Sequence, residues 1–342
     1  MYQFRNDYSV GCHPVVLEAL SAVNTEHVVG YGADPYTQKC ADLIRELCGT
    51  PNADVQFMVG GTQTNFTAIA AFLRPWESVL SPVSGHINGH ESGAVEATGH
   101  KIIPIHTPIN GKLSPSLLLP ILDECKDKHL TMPRLVYISD ATETGSVYTK
   151  AELTELSLFC RHHDLFLYLD GARLGCALTS QANDLTLTDI ASLTDAFYIG
   201  GTKNGALMGE ALVITNQALQ ADFFRIKKQR GAVLAKGWLL GVQFQALLQD
   251  GLYFKIAKHA VEVAQYLQGG LKNLGIPMMV ESPTNQIFPI VPNSLLPQLD
   301  KLCTYEVWGK ADESHTVIRL VASFATPLDS ATGFLKAIKN LT

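Results

Sequence analysis

The chain has 342 residues, of which 46% are apolar and 17% charged, and its formal net charge is −6. That composition excludes a disordered chain, and the length exceeds one simple core, predicting two domains or a large domain with a smaller companion. The densest basic patch is Arg225, Lys227, Lys228 and Arg230, which reads as a solvated helix face and not as a nucleic-acid footprint.

The low charged fraction points to surface hidden in an oligomer. Seven cysteines (12, 40, 48, 125, 160, 176 and 303) form no Cys-x-x-Cys pair. This argues against a disulfide framework or a zinc site and for reduced thiols in the cytoplasm. The start, MYQFRNDYS, has no signal-peptide character, and no segment reaches the ~18 apolar residues that a bilayer span requires.

In chain order, a strand-like VQFMV (55–59) leads into Gly60-Gly61-Thr62, where a helix opens near Thr62. Two glycines and a helix start either form a structural cap or cradle a phosphate on exposed N–H groups, with the Thr62 hydroxyl as a further donor. The run matches neither the P-loop nor the Gly-x-Gly-x-x-Gly pattern. A second strand-like run, ESVLS (77–81), precedes His86. His86 is a satisfied loop residue, or an imidazole that stacks on an aromatic ring or carries protons. His90 and Glu91 are expected to open a helix. Spacing alone admits a metal site from His86, His90 and Glu91, but no further ligand cluster supports it.

Helical patterns at 115–126 and 149–163 separate strand-like runs at 134–139, 165–170, 196–200 and 211–215. Such alternation predicts an α/β domain whose largely parallel sheet is covered on both faces. The run LFLYL delivers Asp170 into a crevice, where a carboxylate is costly unless a cation pairs with it. That cation is a protonated pyridine nitrogen, or else Asp170 caps the next helix or pairs with Arg173. The run AFYIG delivers Lys203 among glycines, either as an exposed inert amine or as a Schiff-base nucleophile with a depressed pKa. One long helix is expected over 236–273. Strands at 286–291, 304–308 and 316–322 then alternate with helices near 294–302 and 328–340. The predicted division is a large α/β domain over 1–250, with an N-terminal arm, and a small C-terminal α+β domain over 251–342.

The phosphate turn, His86, Asp170 and Lys203 all follow strands, the edge where open α/β sheets bind ligands. Their order resembles the fold-type-I pyridoxal-phosphate (PLP) enzymes, the aspartate aminotransferase-like fold. More closely, it resembles the low-specificity L-threonine aldolase and β-eliminating lyase family. The resemblance is carried by FRNDYSVGCHP (4–14), GYGADPYT (30–37), YLDGARL (168–174), GGTKNGALMGEALV (200–213) and IRLVASFAT (318–326). It runs from residue 4 to about 326.

The resemblance implies that Lys203 carries PLP as a Schiff base and Asp170 bonds the pyridinium nitrogen. It implies that His86 stacks on the ring, that Gly61 and Thr62 hold the phosphate, and that Arg173 and Arg319 grip the substrate carboxylate. Asn6 stands where many relatives have Ser in a carboxylate contact. An Arg near the phosphate in many relatives has no counterpart in QRGAVLAKG (229–237), where Lys236 or Arg230, from this or a neighbouring subunit, is the candidate replacement. The implied reaction is retro-aldol cleavage of a β-hydroxy amino acid to glycine and an aldehyde, with His86, His90, Glu91 or a water as base. No metal is expected. A homo-oligomer, dimer or tetramer, is expected, with no nucleic-acid or membrane partner. Rival readings are a β-eliminating lyase releasing pyruvate and ammonia, an aminotransferase, a metal-dependent aldolase and a non-catalytic binding module.

Overall fold

Apolar runs such as LVYI and FLYL leave no face for water, and the fold buries both inside a seven-stranded sheet. The computed structural model describes residues 1–341. Strand β1 (Tyr2–Gln3) is followed by the strands of the large sheet: β2 (Asp54–Met58), β3 (Glu77–Pro82), β4 (Lys101–Ile105), β5 (Met132–Ser139), β6 (Phe166–Asp170), β7 (Ala196–Gly200) and β8 (Glu210–Ile214). Their spatial order is β2-β8-β7-β6-β5-β3-β4. All pairings are parallel except those of β8, which runs against both neighbours.

Successive side chains of a strand point to opposite faces, and each face has its own core. On β5, Val136 and Ile138 join one buried cluster while Leu135 and Tyr137 join the other. Each such side chain contributes about 1.5–3 kcal/mol when removed from water. The C-terminal ends of β2, β3, β5, β6 and β7 share one edge of the sheet, and every chemical motif noted above for the large domain hangs from it.

Two glycines draw the ends of β6 and β7 together. The Gly200 N–H donates to the Gly171 carbonyl at 3.0 Å. A Cβ on Gly171 would sit 1.8 Å from the Tyr198 carbonyl oxygen, and one on Gly200 would sit 2.5 Å from that of Ala172. Only a bare Cα fits there, so Asp170 and the loop carrying Lys203 are forced into proximity.

The expected helix over 236–273 is two helices, Trp238–Leu248 and Leu252–Asn273, broken where Gly251 adopts a left-handed φ of 67°. The second spans two cores. Tyr253 and Ile256 belong to the large cluster, whereas Val263, Ala264, Leu267 and Leu271 pack with a second cluster.

That second cluster underlies small sheets made of β9 (Gln286–Ile287), β10 (Ile290–Pro292), β11 (Cys303–Thr304), β12 (Glu306–Lys310) and β13 (His315–Val321). The N-terminal residues, counted above with the large domain, pack here: β1 pairs with β11 and Phe4 is fully buried in the second cluster. The helix expected to open at His90 and Glu91 is absent. Instead a single turn, His86–Gly89, ends at His90. Among the described residues no helix is long and apolar enough to cross a membrane.

Candidate active site

A cavity of about 600 Å³ opens at the C-terminal edge of the large sheet. Gly61, Thr62, His86, Asp170, Arg173, Lys203 and Arg319 all line it. The helix Gly61–Phe72 begins at its wall, and no side chain caps its first turn. Its open N–H groups face the cavity with the partial positive charge of a helix start.

Asp170 is 4% exposed and surrounded by donors. Tyr198 and Tyr137 donate hydroxyl hydrogen bonds at 2.5 and 2.6 Å, Asn65 an amide bond at 3.0 Å and the Ala172 backbone N–H another at 3.0 Å. Burial alone would raise its pKa. The bonds from Tyr137, Tyr198 and Asn65 and the nearby His86 overcome this and hold it below the ordinary carboxylate value. Asp170 is thus a fixed negative charge with no pairing to Arg173, one of the alternatives left open by the sequence.

Arg173 pairs with Asp7 instead. Nε and Nη2 donate to the Asp7 carboxylate at 2.7 and 3.0 Å, with both residues buried. Burial would raise the Asp7 pKa, but Arg173 and Lys203 bring it below its usual value. This takes one edge of the Arg173 fork and leaves Nη1 for any incoming carboxylate. Lys203 is pushed below the ordinary lysine value by burial and by Arg173, which favours the neutral, nucleophilic amine. Behind it, Glu210 accepts a 2.9 Å bond from the Gly201 N–H, and burial raises its pKa to about 7.

His86 begins its short helical turn and bonds through Nδ1 to Glu91 at 2.7 Å. Burial opposes its charged form. The Glu91 bond and the carboxylates of Glu143, Asp170 and Glu91 outweigh burial and raise its pKa. Glu91 is also held by Asn65 at 2.8 Å, so Asn65 links the His86–Glu91 pair to Asp170. Arg319 comes from β13, where its cross-strand neighbour is Glu306 on β12. Its guanidinium pairs with Glu306, donates to Gln286 at 3.2 Å and lies 5.4 Å from the centre of the Trp308 ring.

Asn6 does not join this group. Its side-chain oxygen accepts from the Tyr8 N–H at 3.1 Å and the Ser9 hydroxyl at 2.7 Å, and it faces a separate cavity with Ser9 and Ser323. The neighbouring Asp7 is instead the buried residue of the two, held by Arg173 and by the Asn285 amide at 2.9 Å. Neither Lys236 nor Arg230 lines the main cavity. Sequence reasoning missed Asp7, Asn65, Tyr137, Tyr198, Glu143 and Glu210. The tyrosines lie in apolar runs that read as core filling. Only the strand-end position of residues such as Ser139, just before Glu143, could have pointed to that last group.

The model of the beta-eliminating lyase family matches residues 3–329. A low-specificity L-threonine aldolase from Pseudomonas sp. (strain NCIMB 10558) is 33% identical over 291 residues, covering 84% of this chain and 83% of that protein. The enzyme of the same description from Escherichia coli K12 is 25% identical, with 84% of each chain covered. The solved structure of a threonine aldolase from Leishmania major superposes with a TM-score of 0.98 at 45% identity, covering 100% of this chain and 99% of that one. An aspartate aminotransferase from Thermus thermophilus, 16% identical with a TM-score of 0.73 over 100% of this chain and 92% of its own, shares the fold alone. With nearly the whole length matched, the chain belongs to the beta-eliminating lyase family.

Proposed function

We propose that this protein is a PLP-dependent aldehyde-lyase that cleaves the Cα–Cβ bond of threonine or a related β-hydroxy amino acid, giving glycine and an aldehyde. The observation carrying this reading is the convergence of Asp170 and Lys203 on one cavity that also receives an uncapped helix start. These residues fit the cofactor's three ends. A buried carboxylate held ionised by two tyrosines suits a pyridinium nitrogen, an amine with a depressed pKa suits an aldehyde carbon, and open helix N–H groups at Gly61 and Thr62 suit a phosphate.

When bound, PLP supplies an electron sink for the pair released from the broken bond. The protein does the rest. Lys203, whose burial favours the neutral amine, would provide the point of covalent attachment and exchange with the substrate amine. Asp170 would pair its negative charge with the ring nitrogen. His86, whose bond to Glu91 favours the protonated ring, would offer a flat ring and a proton at the cavity wall. Arg319, with the free Nη1 of Arg173, fixes the substrate carboxylate and so decides which bond to Cα is cleaved.

Incubation with L-threonine, L-allo-threonine, phenylserine, L-serine and L-cysteine tests the proposal. Glycine release from the β-hydroxy substrates is expected, and pyruvate from serine and cysteine without glycine would reassign the chain to β-elimination. In Lys203→Ala, the visible absorption of the bound cofactor and multiple turnover are expected to vanish while circular dichroism stays unchanged. Sustained turnover by this variant would remove Lys203 from its role.

A further inference from the structure

The carboxylates lining the cavity are Glu143, Asp170, Glu210 and Glu306. Asp170 is saturated by two tyrosines, Asn65 and a backbone N–H. Glu306 neutralises Arg319, and Glu210 is buried behind Lys203 against the Gly201 N–H. Glu143 makes no ion pair among the described residues. Its hydrogen bond, from the Ser139 hydroxyl, is a long 3.4 Å.

The turn that carries Glu143 is nonetheless tightly fixed. Thr142 and Thr144, on either side, are buried, and their hydroxyls donate to the carbonyls of Asn110 at 2.8 Å and Ile109 at 3.0 Å. The Gly145 N–H donates to the Thr142 carbonyl at 2.8 Å, and the Gly145 carbonyl accepts from Thr284 at 3.1 Å and Ser282 at 3.3 Å. A turn anchored on both flanks, to the large sheet's loops and to the 282–284 segment, thus holds one unpaired carboxylate over the cavity. Its charge reaches His86, Arg173 and Lys203, favouring the protonated form of each. The other candidate bases are compromised. The Glu91 bond favours a His86 that already carries its proton, and Glu91 itself is walled in by His86 and Asn65.

We propose that Glu143 accepts the proton of the substrate's β-hydroxyl as the carbon–carbon bond breaks. The inference rests on the retro-aldol reading above and names the base within it. The O–H bond breaks and its proton moves to a Glu143 oxygen. The freed pair becomes the second C–O bond of the departing aldehyde, and the Cα–Cβ pair stays on the glycine half, which later takes up a proton at Cα. Glu143 returns its own proton to solvent. A base positioned by rigid neighbours and bound in no ion pair suits this task.

The test compares threonine cleavage with exchange of the glycine α-proton for deuterium, followed by NMR on the PLP-loaded enzyme. Exchange uses the same lysine and carboxylate clamp but involves no hydroxyl. In Glu143→Gln, cleavage is expected to fall by about 10²–10⁴-fold, with exchange and the visible cofactor band within about threefold of the parent, the tolerance set well inside that range. Cleavage at the parental rate overturns the proposal, as does equal loss of cleavage and exchange with the band retained. Glu143→Ala provides a second variant if the first misfolds. Formate is expected to restore its cleavage at least about tenfold, a part of the same range, and absence of rescue in a variant that still exchanges glycine overturns the assignment. A parent that exchanges glycine but does not cleave threonine overturns the retro-aldol reading itself.

Discussion

At the scale of single residues, the cavity is a set of charges whose protonation is fixed by named neighbours. Arg319 has a buried Nε without a partner and a carboxylate neighbour on its own sheet, so it is already oriented before any substrate arrives. Arg319→Ala is expected to raise KM for threonine with little change in circular dichroism, at a cost of about 1.5–3 kcal/mol for one charge-assisted bond. Unchanged KM and kcat would remove it from carboxylate binding. His86 gives a pH-dependent signal. Its folded pKa lies above the ordinary value of about 6.5, so its contribution to stability is complete below that pH and is lost as pH rises through the folded value. Glu91→Gln should lower the midpoint in an NMR titration of the His86 ring, and an unmoved midpoint would show that Glu91 does not hold the proton there. Asp170 and Lys203 were legible because each stands at or just beyond the end of an apolar run, as a group that has no reason to be in a core. The tyrosines that hold Asp170 were not, since a hydroxyl in a buried run declares itself only once its partner is known.

At the scale of elements, β2, β3, β5, β6, β7 and β8 were read from apolar runs, whereas β4 and the spatial order of the strands were not. The direction of β8 was not read, although the 201–209 link between β7 and β8 is shorter than the dozen residues that a parallel crossover needs. The break at Gly251 was also missed. The region holds Gly237, Gly241, Gly269 and Gly270 as well, so glycine alone gave no signal about which one leaves the helix. Gly171 carries a stricter demand. Gly171→Ala places a methyl against the Tyr198 carbonyl, and overpacking of backbone on backbone is expected to cost about 3 kcal/mol or more. A large drop in Tm and loss of cofactor binding should appear together. A variant as stable as the parent would show that β6 and β7 can separate.

At the scale of the whole molecule, the exposed apolar side chains are informative. Val29, Tyr31 and Phe224 are at least half exposed, yet line one cavity of about 530 Å³ away from the main site. Such a patch is costly in a lone chain, so we expect a homo-oligomer, with sedimentation equilibrium giving a dimer or tetramer. A monomer at micromolar concentration would refute this. We further propose that the chain divides near residue 250, with the Leu252–Asn273 helix as the shared spine.

The seven opening residues join the two lobes by another route. Tyr2 and Gln3 extend a strand against Cys303 and Thr304, Phe4 fills the smaller core, and Asp7 neutralises Arg173 beneath the catalytic cavity. They act as a drawstring: the same short thread that closes the minor lobe also seats the counter-ion of an arginine in the reaction chamber. Clipping the chain after residue 7 would therefore loosen the lobe and strand a buried guanidinium in one cut.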